Sequence, residues 1–195
     1  MNHVTKIKVL QDHRTLKEGF EFNCSSINLL VGDQGSGKST LLGLLRDNSD
    51  LLEISLSDYC LTNGVSTFFF DAEKDNPRMK DPQLYTNPNG TDKGIGYTSA
   101  LISRFQSHGE IIRDFVITPL IQANDCVMFI DEPESGLSIR NQFKFINEIK
   151  EAVERNVQFF IATHSLPLIQ SINEVISLEH QKIMSSLEFI ETQKL

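Results

Sequence analysis

LVGDQGSGKSTL, residues 30–41, is the stretch on which the reading of this chain turns. An apolar run, INLLV (27–31), stops at Gly32. A glycine-rich loop follows, then Lys38, two hydroxyl residues and the leucine-rich LLGLLRDN (41–48). The spacing Gly32-x-x-x-x-Gly37-Lys38-Ser39 completes the pattern of a phosphate-wrapping loop. The chemistry demands those residue types. Gly32, Gly35 and Gly37 let backbone N–H groups turn inward where a side chain would block them, and Asp33, Gln34, Ser36 and Thr40 complete the loop. Lys38 offers a point charge to a phosphate chain, and the Ser39 hydroxyl is a ligand for Mg²⁺. The following helix aims its positive end at the anion. The short apolar run predicts a buried strand of a parallel sheet, and 41–48 predicts a helix, which is the context the loop requires.

The rest of the chain sets bounds on the reading. With 195 residues, 39% of them hydrophobic and 23% charged, the expectation is one globular domain, 1–195, with a real core. No apolar run reaches the roughly 18–20 residues that cross a bilayer, and the N-terminus carries no signal-like apolar stretch. Cys24, Cys60 and Cys126 lack metal-binding spacing and predict buried free thiols, hence a cytoplasmic protein. A net charge of −8 argues against a broad basic face gripping nucleic acid unaided, although a local basic strip stays open.

Along the chain, VTKIKVL (4–10), FEFN (20–23), STFFF (66–70), CVMFI (126–130) and VQFFIAT (157–163) predict strands. SIRNQFKFINEIKEAVERN (138–156) predicts an amphipathic helix capped by Ser138, and SLPLIQSI a short one. Residues 71–98, rich in Pro and Gly, predict a long loop or insert, and helical signals resume over 99–123. Alternating strands and helices imply an α/β class with a mainly parallel sheet. Phe20 and Phe22 are expected in the core.

Two further groups of residues carry chemistry. Asp131 and Glu132 follow a run of large apolar residues, which places them at the sheet edge where ligands bind. Asp131 is the candidate metal ligand opposite Ser39, and Glu132 the candidate base that orients an attacking water. His164 ends the next strand and could reach the same phosphate.

In that order, GDQGSGKST, FIDEPESGLS and ATHS resemble the phosphate-binding, acidic and histidine motifs of the ABC-type ATPase superfamily, over about residues 4–178. The resemblance implies a P-loop NTPase head with N-terminal antiparallel strands and a short helical subdomain. It implies ATP and Mg²⁺ as cofactors, with Lys38, Glu132 and His164 as catalytic residues. It further implies nucleotide sandwiched between two heads, each completing the other's site with a signature motif. QSHGE (106–110) stands at that motif's place, so Ser107, Gly109 and Glu110 become partner-facing nucleotide contacts, although His108 replaces the usual first glycine. SGLS (135–138) is similar to the family's partner-touching turn, with Ser138 in place of its aspartate. The family's mid-domain glutamine is missing; Asp71, or Glu73, is the candidate occupant, and Asp71 would add a metal-side oxygen.

The SHGE form is similar to that of soluble ATPases in phage and bacterial defence systems. The leading expectation is a soluble ATPase working as a homodimer and driving a further protein partner, with 71–98 as its docking surface. The alternatives are the ATP-binding subunit of a membrane transporter, a head of the SMC kind that acts on DNA, and a low-turnover ATP sensor.

Overall fold

Three inner strands of the central sheet hide both of their faces, and that dictates the layering. In the computed structural model, which describes residues 3–71, 117–135 and 137–194, β3 (Ile27–Val31) sends Leu29 and Val31 to one side and Leu30 to the other. The same alternation splits β6 (Cys126–Asp131) into Met128 and Ile130 against Val127 and Phe129. It splits β7 (Val157–Ala162) into Phe159 and Ile161 against Phe160 and Ala162. Period-2 projection of continuously apolar strands requires cover above and below.

One face packs on a helix whose Phe145, Ile146 and Ile149 recur at helical spacing, α4 (Ile139–Glu154). Ser138 caps it, its Oγ accepting the Asn141 N–H as the sequence predicts. The other face packs on α1 (Lys38–Arg46) through Leu41, Leu42 and Leu45, and on a small antiparallel sheet. That sheet has the order β2 (Glu21–Asn23), β1 (Val4–Val9), β4 (Leu52–Leu56). Phe20 and Phe22 are buried beside it, as expected.

The central sheet has the order β5-β6-β7-β3-β8-β9, where β5 is Ser66–Asp71, β8 Glu174–Ser177 and β9 Lys182–Ser185. All pairs are parallel except the β8–β9 hairpin. The mainly parallel sheet and the N-terminal antiparallel strands are thus both present. Short helices fill the edges: α2 (Asp58–Asn63), α3 (Thr118–Gln122), α5 (Leu166–Gln170) and α6 (Ser186–Thr192). β4, α2, β8, β9 and α6 are additions to the sequence reading, and α1 starts at Lys38, three residues before the predicted helix. Cys24 and Cys126 are buried free thiols, whereas Cys60 is only half-buried because α2 lies at the surface with no buried residue. The predicted insert (71–98) lies outside the described residues except for Asp71, and so does most of the helical region (99–123).

Gln158 joins the two sheets. Its fully buried side chain accepts the N–H groups of His3 (3.0 Å) and Val4 (2.7 Å). It also donates to the carbonyls of Val4 (2.8 Å) and Ser25 (2.9 Å). A Gln158→Leu change leaves these backbone groups buried and unpaired at roughly 1–3 kcal/mol apiece. The expected loss of at least about 4 kcal/mol lowers the melting temperature by roughly 8–16 °C or more in a chain of this size, measurable by circular dichroism. An unchanged transition contradicts the role given to this side chain.

Candidate functional site

The three motif-bearing strands are neighbours. β7 lies between β3 and β6, so the phosphate loop, the acidic turn and His164 leave adjacent strands at the same edge. The ladder is continued past the strand ends: the Thr163 N–H donates to the Leu30 carbonyl (3.1 Å) and the Glu132 N–H to the Ala162 carbonyl (2.9 Å).

Backbone geometry fixes the loop. Gly32 has φ +141° and Gly37 φ +103°, and a Cβ at Gly32 would meet Ser36 Oγ at 2.7 Å. At Gly37 it would collide with Thr15 Oγ1, so both positions need glycine twice over, for conformation and for space. Gln34 and Gly35 are exposed at the loop's tip, Ser36 is half-buried, and the Ser36 N–H closes a turn onto the Asp33 carbonyl (3.1 Å). Gly37 starts α1 in a left-handed conformation with no side-chain cap, which leaves the first-turn N–H groups facing outward as an anion site. Ser39 is exposed and Thr40 half-buried in that turn.

Lys38 is buried, and its Nζ donates to the carbonyls of Gly32 and Asp33, both at 2.9 Å. Burial lowers its pKa from the ordinary lysine value. The negative charges of Glu132, Asp131, Asp33 and Glu134 push it back up. The site therefore holds a cation close to a set of carboxylates, with hydrogen-bond donors aimed over it.

Asp131 is the buried last residue of β6. Glu132 turns sharply away at φ +49°, a left-handed conformation that a non-glycine residue adopts only when its surroundings impose it. Its exposed carboxylate faces His164, with Oε1 3.8 Å from Nε2. A cavity of about 320 Å³ is lined by Gln34, Gly35, Gly37, Lys38, Glu132 and His164. A second, of about 330 Å³, is bordered by Ser39, Thr40, Asp71 and Asp131. Asp71 and Asp131 are buried register partners at the ends of β5 and β6. One hydroxyl and two carboxylates are the hard oxygen donors that Mg²⁺ takes, and Mg²⁺ completes its octahedron with water and phosphate. The donor set fits that ion.

Ser107, Gly109 and Glu110 lie outside the described residues. In the SGLS turn, Ser138 is engaged in capping α4, and the buried Leu137 accepts from Gln142 Nε2 through its carbonyl (3.1 Å). Three site residues carry no sequence signal of their own. Thr15 fastens the loop between β1 and β2 to the Ser36 carbonyl (3.0 Å), and Arg14 at its tip borders both cavities. Glu134 bonds to the backbone of the histidine turn.

Residues 113–170 match the family model described as "AAA domain, putative AbiEii toxin, Type IV TA system". A curated relative from Methanosarcina acetivorans, "Putative ABC transporter ATP-binding protein", is 23% identical over 89% of this chain and 74% of its own length. Another, the energy-coupling factor transporter ATP-binding protein of Staphylococcus saprophyticus, is 24% identical over 83% of this chain and 66% of its own. Among solved structures, a dimeric ATP-binding cassette in a post-hydrolysis state, bound to ADP and phosphate, superimposes with a TM-score of 0.55. That structure is 17% identical and covers 95% of this chain and 99% of its own, a likeness of fold. Among the described residues no helix is long and apolar enough to cross a membrane. The chain thus has the α/β fold of an ABC-type ATPase head, and its motif order and these relatives make it similar to the P-loop ABC ATPase superfamily.

Proposed function

We propose that the chain binds and hydrolyses ATP with Mg²⁺ as a homodimer of heads. The observation that carries this reading is the convergence of Lys38, Glu132 and His164 on one cavity over an uncapped helix start. Loop N–H groups and Lys38 hold the β- and γ-phosphates, positioning them and offsetting their charge. Glu132 orients a water in line with the γ-phosphate and accepts its proton, while the His164 ring hydrogen-bonds a γ-phosphate oxygen. Ser39, Asp131 and Asp71 would hold Mg²⁺, which when bound stabilises charge developing on the phosphate oxygens. Ser107, Gly109 and Glu110 of a second copy close the site, so binding energy from the γ-phosphate biases the heads towards closure.

The test is turnover of Mg-ATP by the purified chain as its concentration falls. Activity per chain should drop steeply on dilution below the dimer's dissociation constant. Constant activity per chain down to a demonstrated monomer would remove the dimer from the mechanism.

For the wider role, the leading reading is a cytoplasmic ATPase that drives a protein partner through 71–98. It is supported by the family model over 113–170 and by a gap of only about 70 residues between Lys38 and Ser107, short for a transporter's helical subdomain. The names of both curated relatives favour the second reading, the ATP-binding subunit of a membrane transporter. Fractionation of cells expressing the chain at its native level separates them. Recovery in the membrane pellet together with a multi-span protein supports transport, and recovery free of membranes supports the first.

A further inference from the structure

Glu134 follows the strained turn at Glu132 and is half-buried. Its Oε1 accepts the backbone N–H of His164 at 2.5 Å, across two loops that leave neighbouring strands. Its own carbonyl accepts the Leu137 N–H (2.9 Å), which fixes the turn that carries it. The ladder between β7 and its neighbours ends with Ala162 and Thr163, so among the described residues the Glu134 carboxylate is the group that holds the His164 N–H.

We propose that Glu134 is a positioning residue: its carboxylate clamps the histidine turn to the acidic turn and so sets the Glu132–His164 approach, 3.8 Å between Oε1 and Nε2. A hydrogen bond from a backbone N–H to a carboxylate is charge-assisted and short, stronger than the neutral bonds usual in a loop. The clamp matters because the ladder ends at the Glu132 and Thr163 N–H groups, so the His164 turn has no ladder bond of its own, and a displacement there of about 1 Å can cost as much as 100-fold in rate. The fold does not depend on it. Ser165 Oγ donates to Gln142 Oε1 (2.8 Å), and the Ser165 N–H donates to Thr163 Oγ1 (2.9 Å), holding the chain path from the other side. Loss of Glu134 thus releases the aim of His164 while leaving β7 and α5 in place. The negative charge of Glu134 also lies near Lys38, so the clamp and the charge need separate variants.

The role rests on the ATPase reading above, but it can be measured without turnover. In nucleotide-free protein, amide NMR of wild type and Glu134→Gln, which keeps an acceptor oxygen, should show a downfield His164 N–H protected from solvent exchange. Glu134→Ala should lose both signatures while melting within a few degrees of wild type. In ATPase assays Glu134→Ala should lower kcat by about 10- to 100-fold with KM changed less than about threefold, and Glu134→Gln should recover most of the loss. Adding Glu134→Ala to His164→Ala should slow the enzyme no further than His164→Ala alone, because the first acts through the second. An unprotected His164 amide in wild type, or losses that multiply in the double variant, overturns the proposal. An inactive wild type with a protected His164 amide overturns the ATPase reading and leaves the clamp standing.

Discussion

Replacing Glu132 by Gln is expected to slow Mg-ATP turnover by roughly 10²- to 10⁴-fold, the range that a positioned general base contributes, while affinity for Mg-ATP stays within about threefold. The substitution keeps volume and one acceptor oxygen, and removes the basicity together with the negative charge that faces Lys38. The backbone that presents this side chain is fixed independently of it: the left-handed φ of +49° and the bond from the Glu132 N–H to the Ala162 carbonyl persist with Gln. Single-turnover hydrolysis with nucleotide binding measured on the same preparation checks both halves. A turnover loss below about fivefold would assign the base elsewhere and leave Glu132 as a solvent-facing carboxylate.

Lys38→Ala should act on binding instead. The Nζ is held at 2.9 Å from two loop carbonyls, over the cavity where phosphates would sit. Each charge-assisted bond lost to a phosphate oxygen contributes roughly 1.5–3 kcal/mol, so affinity for ATP should fall at least about 10-fold, and about 100-fold if the bond is at the upper end. Inorganic tripolyphosphate should lose affinity by a similar factor, since Lys38 reads charge and not the base. Isothermal titration with both ligands tests this, and equal affinity of variant and wild type for tripolyphosphate contradicts the role of Lys38.

The site was legible where chemistry compels a residue type at a fixed spacing. Gly32, Gly37, Lys38 and Ser39 form such a set, and Asp131–Glu132 and His164 gain meaning from following apolar runs. β3, β6 and β7 were legible for the related reason that strands covered on both faces read as unbroken apolar stretches. β4 was hidden because Leu52–Leu56 buries only its first residue and alternates poorly. The placement of β7 between β3 and β6 is a matter of long-range pairing, which no local pattern encodes. Gln158 reads as one polar residue in an apolar strand; only the approach of β1 gives its four hydrogen bonds a purpose. Glu134 looks like another solvated acid of the acidic turn until the neighbouring loop is brought within 2.5 Å.

The central claim is that ATP bound at Lys38 is completed by the Ser107 turn of a second copy. The measurement that bears on it most directly is the molar mass of the Glu132→Gln variant by light scattering, with and without saturating Mg-ATP. The expected result is a monomer without nucleotide and a dimer with it, the dimer being lost again when Lys38→Ala or Ser107→Arg is added. A Glu132→Gln chain that binds Mg-ATP yet keeps the mass of one copy, beside a wild type whose turnover per chain does not depend on concentration, contradicts it.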